Sequence, residues 1–363
     1  MNSEQLMFYL KLPMYLHKGY FNRMRSMRNH NYSLFIIHCS LKKFTSRILN
    51  CINISMHIVY NNTKIHYYIE TKNSLKNNAK NTLKKDEFDP KNTEFIVFLH
   101  GWGAGSEVMK PLARMYAMSA HLPAKNAVFK AEDLTAPAPK KSVISKRELK
   151  KLKREKTHYI EKSEFADALR FSGAGFDDEA RNTREVRFLF IDFPPFGGSG
   201  EPSEIWGVED YAGAVLAVLR AEKAEKIKII AHSFGGRVAI LLAGVYNIVD
   251  EMVLIGGAGL KTRKSPLVRL RIASYKIARR LGLEVRRAGS VEYRALSPVM
   301  RGTFVRVVNR DLAREAGFVR CPVRLIYGLK DSATPPYLAR RLHSLLPRSV
   351  LFFVENTGHF AWI

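Results

Sequence analysis

Long apolar runs and cysteines are scarce in this 363-residue chain, and each shortage excludes a class of protein. No run of about 18 apolar residues occurs, so the sequence predicts no membrane-spanning helix. The three cysteines, Cys39, Cys51 and Cys321, cannot all pair with one another, and no Cys/His cluster has the spacing of a zinc site. This usage favours a reducing, cytoplasmic compartment.

Acidic residues are also few, since 33 Asp and Glu face 59 Lys and Arg and leave a net charge of +26. The basic excess is spread: residues 1–55 carry eight Lys and Arg against one Glu, and residues 261–320 carry sixteen against four acidic residues. We interpret it as a solvated basic surface, with attraction of an anionic substrate or surface as the alternative. No nucleic-acid motif is present, and the Lys-rich run at 146–156 has no aromatic residues for base stacking, so no specific nucleic-acid partner is expected.

What the chain does have is enough apolar sequence, 46 %, for a large core. Two strands are predicted around Asn61-Asn62, and several of the later apolar runs are separated by helical patterns. Strands of this kind, buried on both faces and alternating with helices, predict an α/β fold with a mostly parallel sheet covered on both faces. The runs are Glu94–Leu99, Val186–Ile191, Ile227–Ala231, Met252–Ile255, Val323–Tyr327 and Val350–Val354.

The sequence patterns divide the chain into four segments. Residues 1–55 show no clear period and are expected to be a poorly ordered extension, or an artefact of start-site choice. Residues 56–256 form the first part of the core, interrupted at about 121–184 by a surface insertion in which no β-type run is found. Residues 257–318 are predicted to form a helical cap, and residues 319–363 complete the core.

The main chemical signal is Ala231-His232-Ser233-Phe234-Gly235, directly after a buried strand and directly before a helix. A sharp strand-to-helix turn exposes a serine hydroxyl and needs small residues two positions away on each side, here Ala231 and Gly235. A serine that caps an ordinary turn would give the same pattern, so the motif needs partners.

Three further elements supply those partners. His100-Gly101-Trp102-Gly103 ends the first buried strand, and the amides of Trp102 and Phe234 are a candidate pair of oxyanion donors. Asp331 and His359 each follow a late strand, in the order acid then base, whereas Asp311 lies in the predicted cap. The sequence therefore predicts Ser233 as nucleophile, His359 as base and Asp331 as the acid that orients it.

With the loop Asp192-Phe193-Pro194-Pro195-Phe196-Gly197-Gly198-Ser199, these motifs make the sequence resemble the α/β-hydrolase superfamily. The likeness covers residues 56–120, 185–256 and 319–363. It implies an eight-stranded, mostly parallel sheet with helices on both faces, and a helical cap after the sixth strand. Serine at 233 argues against the dehalogenases and epoxide hydrolases of the superfamily, which carry Asp at that position.

The resemblance implies a serine hydrolase, of carboxylesterase type, that cleaves an ester, thioester or related acyl bond of a small molecule through an acyl-enzyme. Such an enzyme is expected to need no metal and no organic cofactor. A catalytically impaired binding protein of the same fold and an acyltransferase are the alternatives. In the cap, Met300 and Phe304 are predicted to line an apolar pocket, and Arg294 and Arg301 to meet an anionic group of the substrate.

Overall fold

The computed structural model describes residues 55–71, 75, 89–119, 154, 156–171, 185–261 and 291–363. Within these residues the strands are β1 (Ser55–Tyr60), β2 (Thr63–Thr71), β3 (Thr93–Leu99), β4 (Thr157–Ile160), β5 (Glu185–Ile191), β6 (Lys226–His232), β7 (Glu251–Ile255), β8 (Val323–Gly328) and β9 (Ser349–Val354). These nine strands form one sheet, in the order β1-β2-β5-β3-β6-β7-β8-β9-β4.

The sheet is parallel except at one end, where β2 runs antiparallel to both β1 and β5. In the centre, Val97 of β3 lies opposite Leu189 of β5 and Ile229 of β6, and all three side chains are fully buried. The continuous apolar runs therefore form the central strands, as predicted. Because β3, β6, β7, β8 and β9 are parallel, the loops that follow them meet at one edge of the sheet.

Helices cover both faces, which confirms the predicted fold class. The described helices are α1 (Lys110–Ser119), α2 (Phe165–Leu169), α3 (Val208–Ala221), α4 (Phe234–Gly244), α5 (Val291–Ala295), α6 (Pro298–Asn309), α7 (Ala313–Ala316) and α8 (Pro336–Leu345). A large core lies between the sheet and α3, α4, α7 and α8, and a second core lies under α1 and α2 on the opposite face. Three short 3₁₀ turns accompany them, at Pro90–Asn92, Ser106–Met109 and Lys162–Glu164.

The ninth strand corrects the sequence analysis, which expected eight strands and no strand in the segment 121–184. Strand β4 comes from that segment and pairs in parallel with β9, with Thr157 opposite Leu351. Phe165, on the following α2, is also buried in the core. A four-residue edge strand with the sequence Thr-His-Tyr-Ile has no apolar run to reveal it, because it pairs on one side only.

The predicted cap also ends earlier than residue 318. Leu312, Ala316 and Val319 are fully buried in the main core, and α7 packs against α4 and α8. The cap portion that the structure describes is therefore α5 and α6; residues 262–290 of the predicted cap lie outside the described part of the chain.

The described residues all belong to one structural unit, residues 46–363. The two strands predicted around Asn61-Asn62 are present as β1 and β2. Residues 1–54 of the predicted extension lie outside the described residues.

None of the described helices is both long and apolar enough to cross a bilayer. Cys321 is a buried free thiol. Cys39 and Cys51 lie outside the described residues, so the cytoplasmic compartment inferred from cysteine usage stays a prediction.

Candidate active site

Ser233 occupies a sharp turn between β6 and α4. Its φ of 49° and ψ of −112° are a strained combination for a residue with a side chain. The turn is tight because α4 approaches β3, and a Cβ added to Gly235 would overlap the carbonyl oxygen of Leu99. Ala231 is fully buried on the other side. The predicted strand–turn–helix crest is therefore present, with small residues where the geometry needs them.

His359 and Asp331 meet across the loops that follow β9 and β8. His359 Nδ1 lies 2.8 Å from Asp331 Oδ2. Asp331 Oδ1 accepts the amides of Ala333 and Thr334 at 2.8 Å each, and the Thr334 hydroxyl donates to Oδ2 at 2.7 Å. Burial opposes ionisation of Asp331, but the hydrogen bonds from His359 and Thr334 outweigh it and lower the pKa of the carboxyl. Asp331 is thus an ionised acceptor, which fixes the proton of a neutral His359 on Nδ1 and leaves Nε2 free to take a proton.

Asp311, the other carboxylate considered from the sequence, lies elsewhere. Its Oδ1 accepts the amide of Ala313 at 3.0 Å at the start of α7.

The end of β7 brings Ser233 and His359 to the same place. The Ser233 amide donates to the Ile255 carbonyl at 3.1 Å, and the Ala258 amide donates to the Ser233 carbonyl at 2.8 Å. Gly256, between them, has a φ of 52°, and a Cβ there would lie 3.1 Å from His359 Nδ1. Among the described residues no hydrogen bond joins Ser233 Oγ to His359, and such bonds in free enzymes often form only with substrate bound.

The candidate oxyanion donors, Trp102 and Phe234, lie on loops that meet beside Ser233. A Cβ added to Gly101 would lie 3.2 Å from the Ser233 Cβ, and the rings of Trp102 and Phe234 are 5.5 Å apart. Phe234 is the first residue of α4, where backbone amides have no partner within the helix. The arrangement is suited to receive a developing negative charge next to the serine.

His100 holds the Trp102 loop through two hydrogen bonds of its ring. Its Nδ1 donates to the Gly101 carbonyl at 2.7 Å, and its Nε2 accepts the Phe193 amide at 2.8 Å. Burial lowers the pKa of His100 to about 4, so the ring is neutral and can hold both roles.

The cap contributes an aromatic contact to the site. Phe304 of α6 packs 5.4 Å from the Trp102 ring, and Tyr293 of α5 lies 5.8 Å from Phe304. On the other side of Trp102, the Phe196 ring is 5.2 Å away. We call these four half-buried side chains, Trp102, Phe196, Tyr293 and Phe304, the aromatic wall.

The other predicted cap residues are placed differently. Met300 is buried, 1 % exposed, on α6. Arg301 Nε donates to the Leu296 carbonyl at 3.0 Å, and the Arg294 side chain is exposed. Within the described part of the chain, neither arginine contacts Ser233, Asp331 or His359. That they meet an anionic group of the substrate stays a prediction.

His232 is a site residue that the sequence analysis missed. Its Nε2 donates to the carbonyl oxygen of His359 at 3.2 Å, and its ring lies 4.7 Å from the His359 ring. Phe360 and Trp362 pack on it at 4.8 Å each. Burial, followed by the neighbouring His359, lowers the pKa of His232 to about 3. A neutral ring thus anchors the backbone of His359, the predicted base. The signal in the sequence was the position of His232 directly before Ser233.

No group of three or more His, Cys, Asp or Glu side chains among the described residues is arranged to hold a metal ion. The expectation that neither a metal nor a cofactor is needed stays a prediction.

Comparison with known proteins identifies the family of this chain. The sequence profile described as "Alpha/beta hydrolase family" matches residues 163–363, more than half of the chain. The chain belongs to the α/β-hydrolase family. The match begins within the segment predicted to be an insertion, so the Trp102 loop lies outside it and is assigned by structure.

Relatives of this α/β hydrolase are distant. It is 26 % identical over 218 residues to an uncharacterized protein of Mycobacterium tuberculosis, a match that covers 48 % of this chain and 63 % of that protein. It is 21 % identical over 198 residues to the uncharacterized hydrolase YugF of Bacillus subtilis, a match that covers 47 % of this chain and 72 % of that protein. The crystal structure of an esterase from Exiguobacterium antarcticum, 15 % identical, covers 85 % of this chain and 94 % of its own, with a TM-score of 0.47.

Proposed function

We propose that this α/β hydrolase is a serine hydrolase that cleaves an ester, thioester or related acyl bond through an acyl-enzyme on Ser233. The observation that carries the proposal is the 2.8 Å bond from His359 Nδ1 to Asp331 Oδ2 beside the strained Ser233 turn. A serine hydroxyl is a weak nucleophile until a base removes its proton, and an imidazole fixed by a buried carboxylate is such a base.

The reaction then proceeds in two acyl transfers. His359 Nε2 takes the proton of Ser233 as its Oγ attacks the substrate carbonyl, and Asp331 stabilises the imidazolium that forms. The amides of Trp102 and Phe234 stabilise the oxyanion. His359 next protonates the leaving group, and the acyl group stays on Ser233. In the second step His359 activates a water molecule, which releases the acid and restores the serine.

The aromatic wall supports an apolar acyl group as the part of the substrate that this site selects. Trp102 carries one of the candidate oxyanion amides, so the wall begins where the substrate carbonyl would lie. Half-buried aromatic side chains grouped at one place are typical of apolar ligand sites.

The test combines covalent labelling with turnover. A fluorophosphonate should label the tryptic peptide 229–237, whose one serine is Ser233. A panel of p-nitrophenyl esters of graded chain length, run beside thioesters, should show turnover. Ser233→Ala should lower that turnover by about 10³-fold or more, and Asp331→Asn should be nearly as damaging as His359→Ala.

The matched control is Asp311→Asn, which removes a carboxylate that caps the start of α7 and should retain the wild-type rate. Undiminished turnover in Ser233→Ala would overturn the serine mechanism. Labelling without turnover of any ester would instead favour an acyltransferase, and the absence of both would favour a binding protein of this fold.

A further inference from the structure

A second Ser–His–Asp arrangement lies on the antiparallel end of the sheet, outside the candidate active site. Ser55 Oγ lies 2.6 Å from His66 Nε2, and His66 Nδ1 lies 2.6 Å from Asp192 Oδ2. Ser55 begins β1, His66 lies on β2, and Asp192 follows β5. The connectivity of the atoms is the one that catalytic triads use, with the nucleophile on Nε2 and the carboxylate on Nδ1.

The acid of this second arrangement is firmly held. Asp192 Oδ1 accepts the Ser106 amide at 2.7 Å, and Oδ2 accepts the Gly198 amide at 2.8 Å as well as His66. Burial disfavours the ionised carboxyl, but the hydrogen bonds from His66, Gly198 and Ser106 outweigh burial and lower the pKa of Asp192 well below its usual range.

This carboxylate fixes the tautomer of the imidazole. An ionised Asp192 can only accept, so His66 Nδ1 carries the proton in the neutral ring and Nε2 presents its lone pair. That lone pair accepts the Ser55 hydroxyl. Gly198 packs closely against the ring, since a Cβ added there would lie 2.6 Å from His66 Cγ. The base is therefore oriented as a general base must be.

The nucleophile is reachable from solvent. Ser55 is exposed, whereas His66 and Asp192 retain only 16 % and 5 % of their side-chain exposure. An oriented base under an exposed hydroxyl is the combination that distinguishes a reactive serine from other surface serines.

We propose that Ser55, His66 and Asp192 form a second nucleophilic site, at which Ser55 is acylated by activated esters. Ser55 Oγ forms a bond to the carbonyl carbon of an aryl ester while the bond to the aryloxide breaks. The Ser55 proton passes to His66 Nε2 and from there to the aryloxide. The products are an acyl ester on Ser55 and one phenol, and no oxidant or cofactor takes part.

The experiment uses the full chain with Ser233→Ala, so that the proposed active site contributes no acylation and failure of either proposal can be told apart. The protein is treated with p-nitrophenyl acetate, and acetylation is mapped by mass spectrometry. Cleavage after Arg47 and Lys64 isolates residues 48–64, in which Ser55 is the one serine. We expect acetyl on Ser55 to form at least about 10-fold faster than on Ser203, which is also exposed and serves as the internal control.

Two variants complete the design. Ser55→Ala should leave the peptide 48–64 without the acetyl group, and His66→Gln should slow acetylation of Ser55 to the rate of Ser203. If His66→Gln fails to fold, the ratio of Ser55 to Ser203 acetylation within one protein still decides. Equal rates at the two serines, or a Ser55 rate that His66→Gln leaves unchanged, would overturn the proposal.

Discussion

Replacement of His232 by phenylalanine should separate catalysis from stability. The His232 side chain is 2 % exposed and is surrounded by the rings of His359, Phe360 and Trp362, so the phenylalanine ring can take the place of the imidazole. The one hydrogen bond that phenylalanine cannot make is the one from Nε2 to the His359 carbonyl. The change therefore removes an anchor of the proposed base and keeps its packing.

The energetic terms nearly cancel. Loss of the neutral hydrogen bond from Nε2 should lower the free energy of unfolding by about 0.5–1.5 kcal/mol. His232 Nδ1, however, is buried with no partner among the described residues, and removal of such an atom should raise the free energy of unfolding by about 1–3 kcal/mol. Added ring volume costs part of that gain. We expect the free energy of unfolding at pH 7 to change by less than about 1 kcal/mol. Turnover should fall about 10- to 100-fold, since a base displaced by about 1 Å loses on the order of 100-fold in rate.

The pH dependence of stability gives a second reading of the same variant. The pKa of His232 is about 3 in the folded protein and about 6.5 when unfolded, so between these values the unfolded chain binds a proton that the folded chain does not. Stability from this group is complete above pH 6.5 and is lost as the pH falls toward 3. His232→Phe has no group at this position that titrates in this range. Between pH 7 and pH 5 its free energy of unfolding should therefore rise by about 2 kcal/mol relative to that of the wild type.

The assay is urea unfolding at pH 7 and pH 5, together with kcat and KM for one p-nitrophenyl ester. His232→Gln retains an N–H near the Nε2 position and should recover part of kcat. His158→Phe, a histidine on the distant edge strand β4, is the matched control and should leave kcat unchanged. A His232→Phe enzyme with wild-type kcat, or one that loses stability and activity together, would refute the anchoring role.

Three further predictions follow from single contacts. Thr334→Val removes the hydroxyl that donates to Asp331 Oδ2 and should lower kcat about 10-fold with little change in KM. Thr334→Ser keeps the hydroxyl and should have a kcat near that of the wild type. Equal kcat values in the two variants would contradict a role for this hydrogen bond. Phe304→Ala should raise KM for aryl and long-chain esters more than for acetyl esters, measured beside Val305→Ala, an exposed neighbour on α6 that should change neither. Gly235→Ala should lower the free energy of unfolding, measured with urea, by about 1–3 kcal/mol or more, because the new Cβ would overlap the Leu99 carbonyl. Unchanged stability would show that α4 can move away from β3.

The central sheet and the core of the candidate site were predictable from sequence because both depend on local order. Buried parallel strands appear as continuous apolar runs, and the loops that follow them meet at one edge. Ser233, Asp331 and His359 each stand just after such a run, so their order along the chain was enough to bring them together. The bond from His359 to Asp331 rather than to Asp311 follows from the same rule, since Asp311 precedes β8 and leads into α7.

The features that sequence could not predict depend on partners distant in the chain. Strand β4 has half-polar composition and is defined by pairing with β9, almost two hundred residues later. His232 and Thr334 have their roles only because the loops after β6, β8 and β9 touch. The role predicted for Arg294 and Arg301 rests on residue type alone and stays a prediction; among the described contacts, Arg301 donates to the Leu296 carbonyl.

The groups of the site differ in how they are held, and this difference explains which variants should affect rate alone. Ser233 stores strain of about 1–3 kcal/mol, which the backbone bonds of Ile255 and Ala258 maintain, so its position is set by the sheet. Trp102 and Phe234 lie at the ends of β3 and β6 and share that rigidity. His359 stands five residues beyond β9 and is held by side chains: its ring by Asp331 and its backbone by His232. The position of His359, the proposed base, thus depends on side-chain contacts more than that of the other groups does. Variants that loosen it should leave the fold stable and lower kcat, whereas variants that enter the Ser233 turn, such as Gly235→Ala, should destabilise the sheet that carries the site.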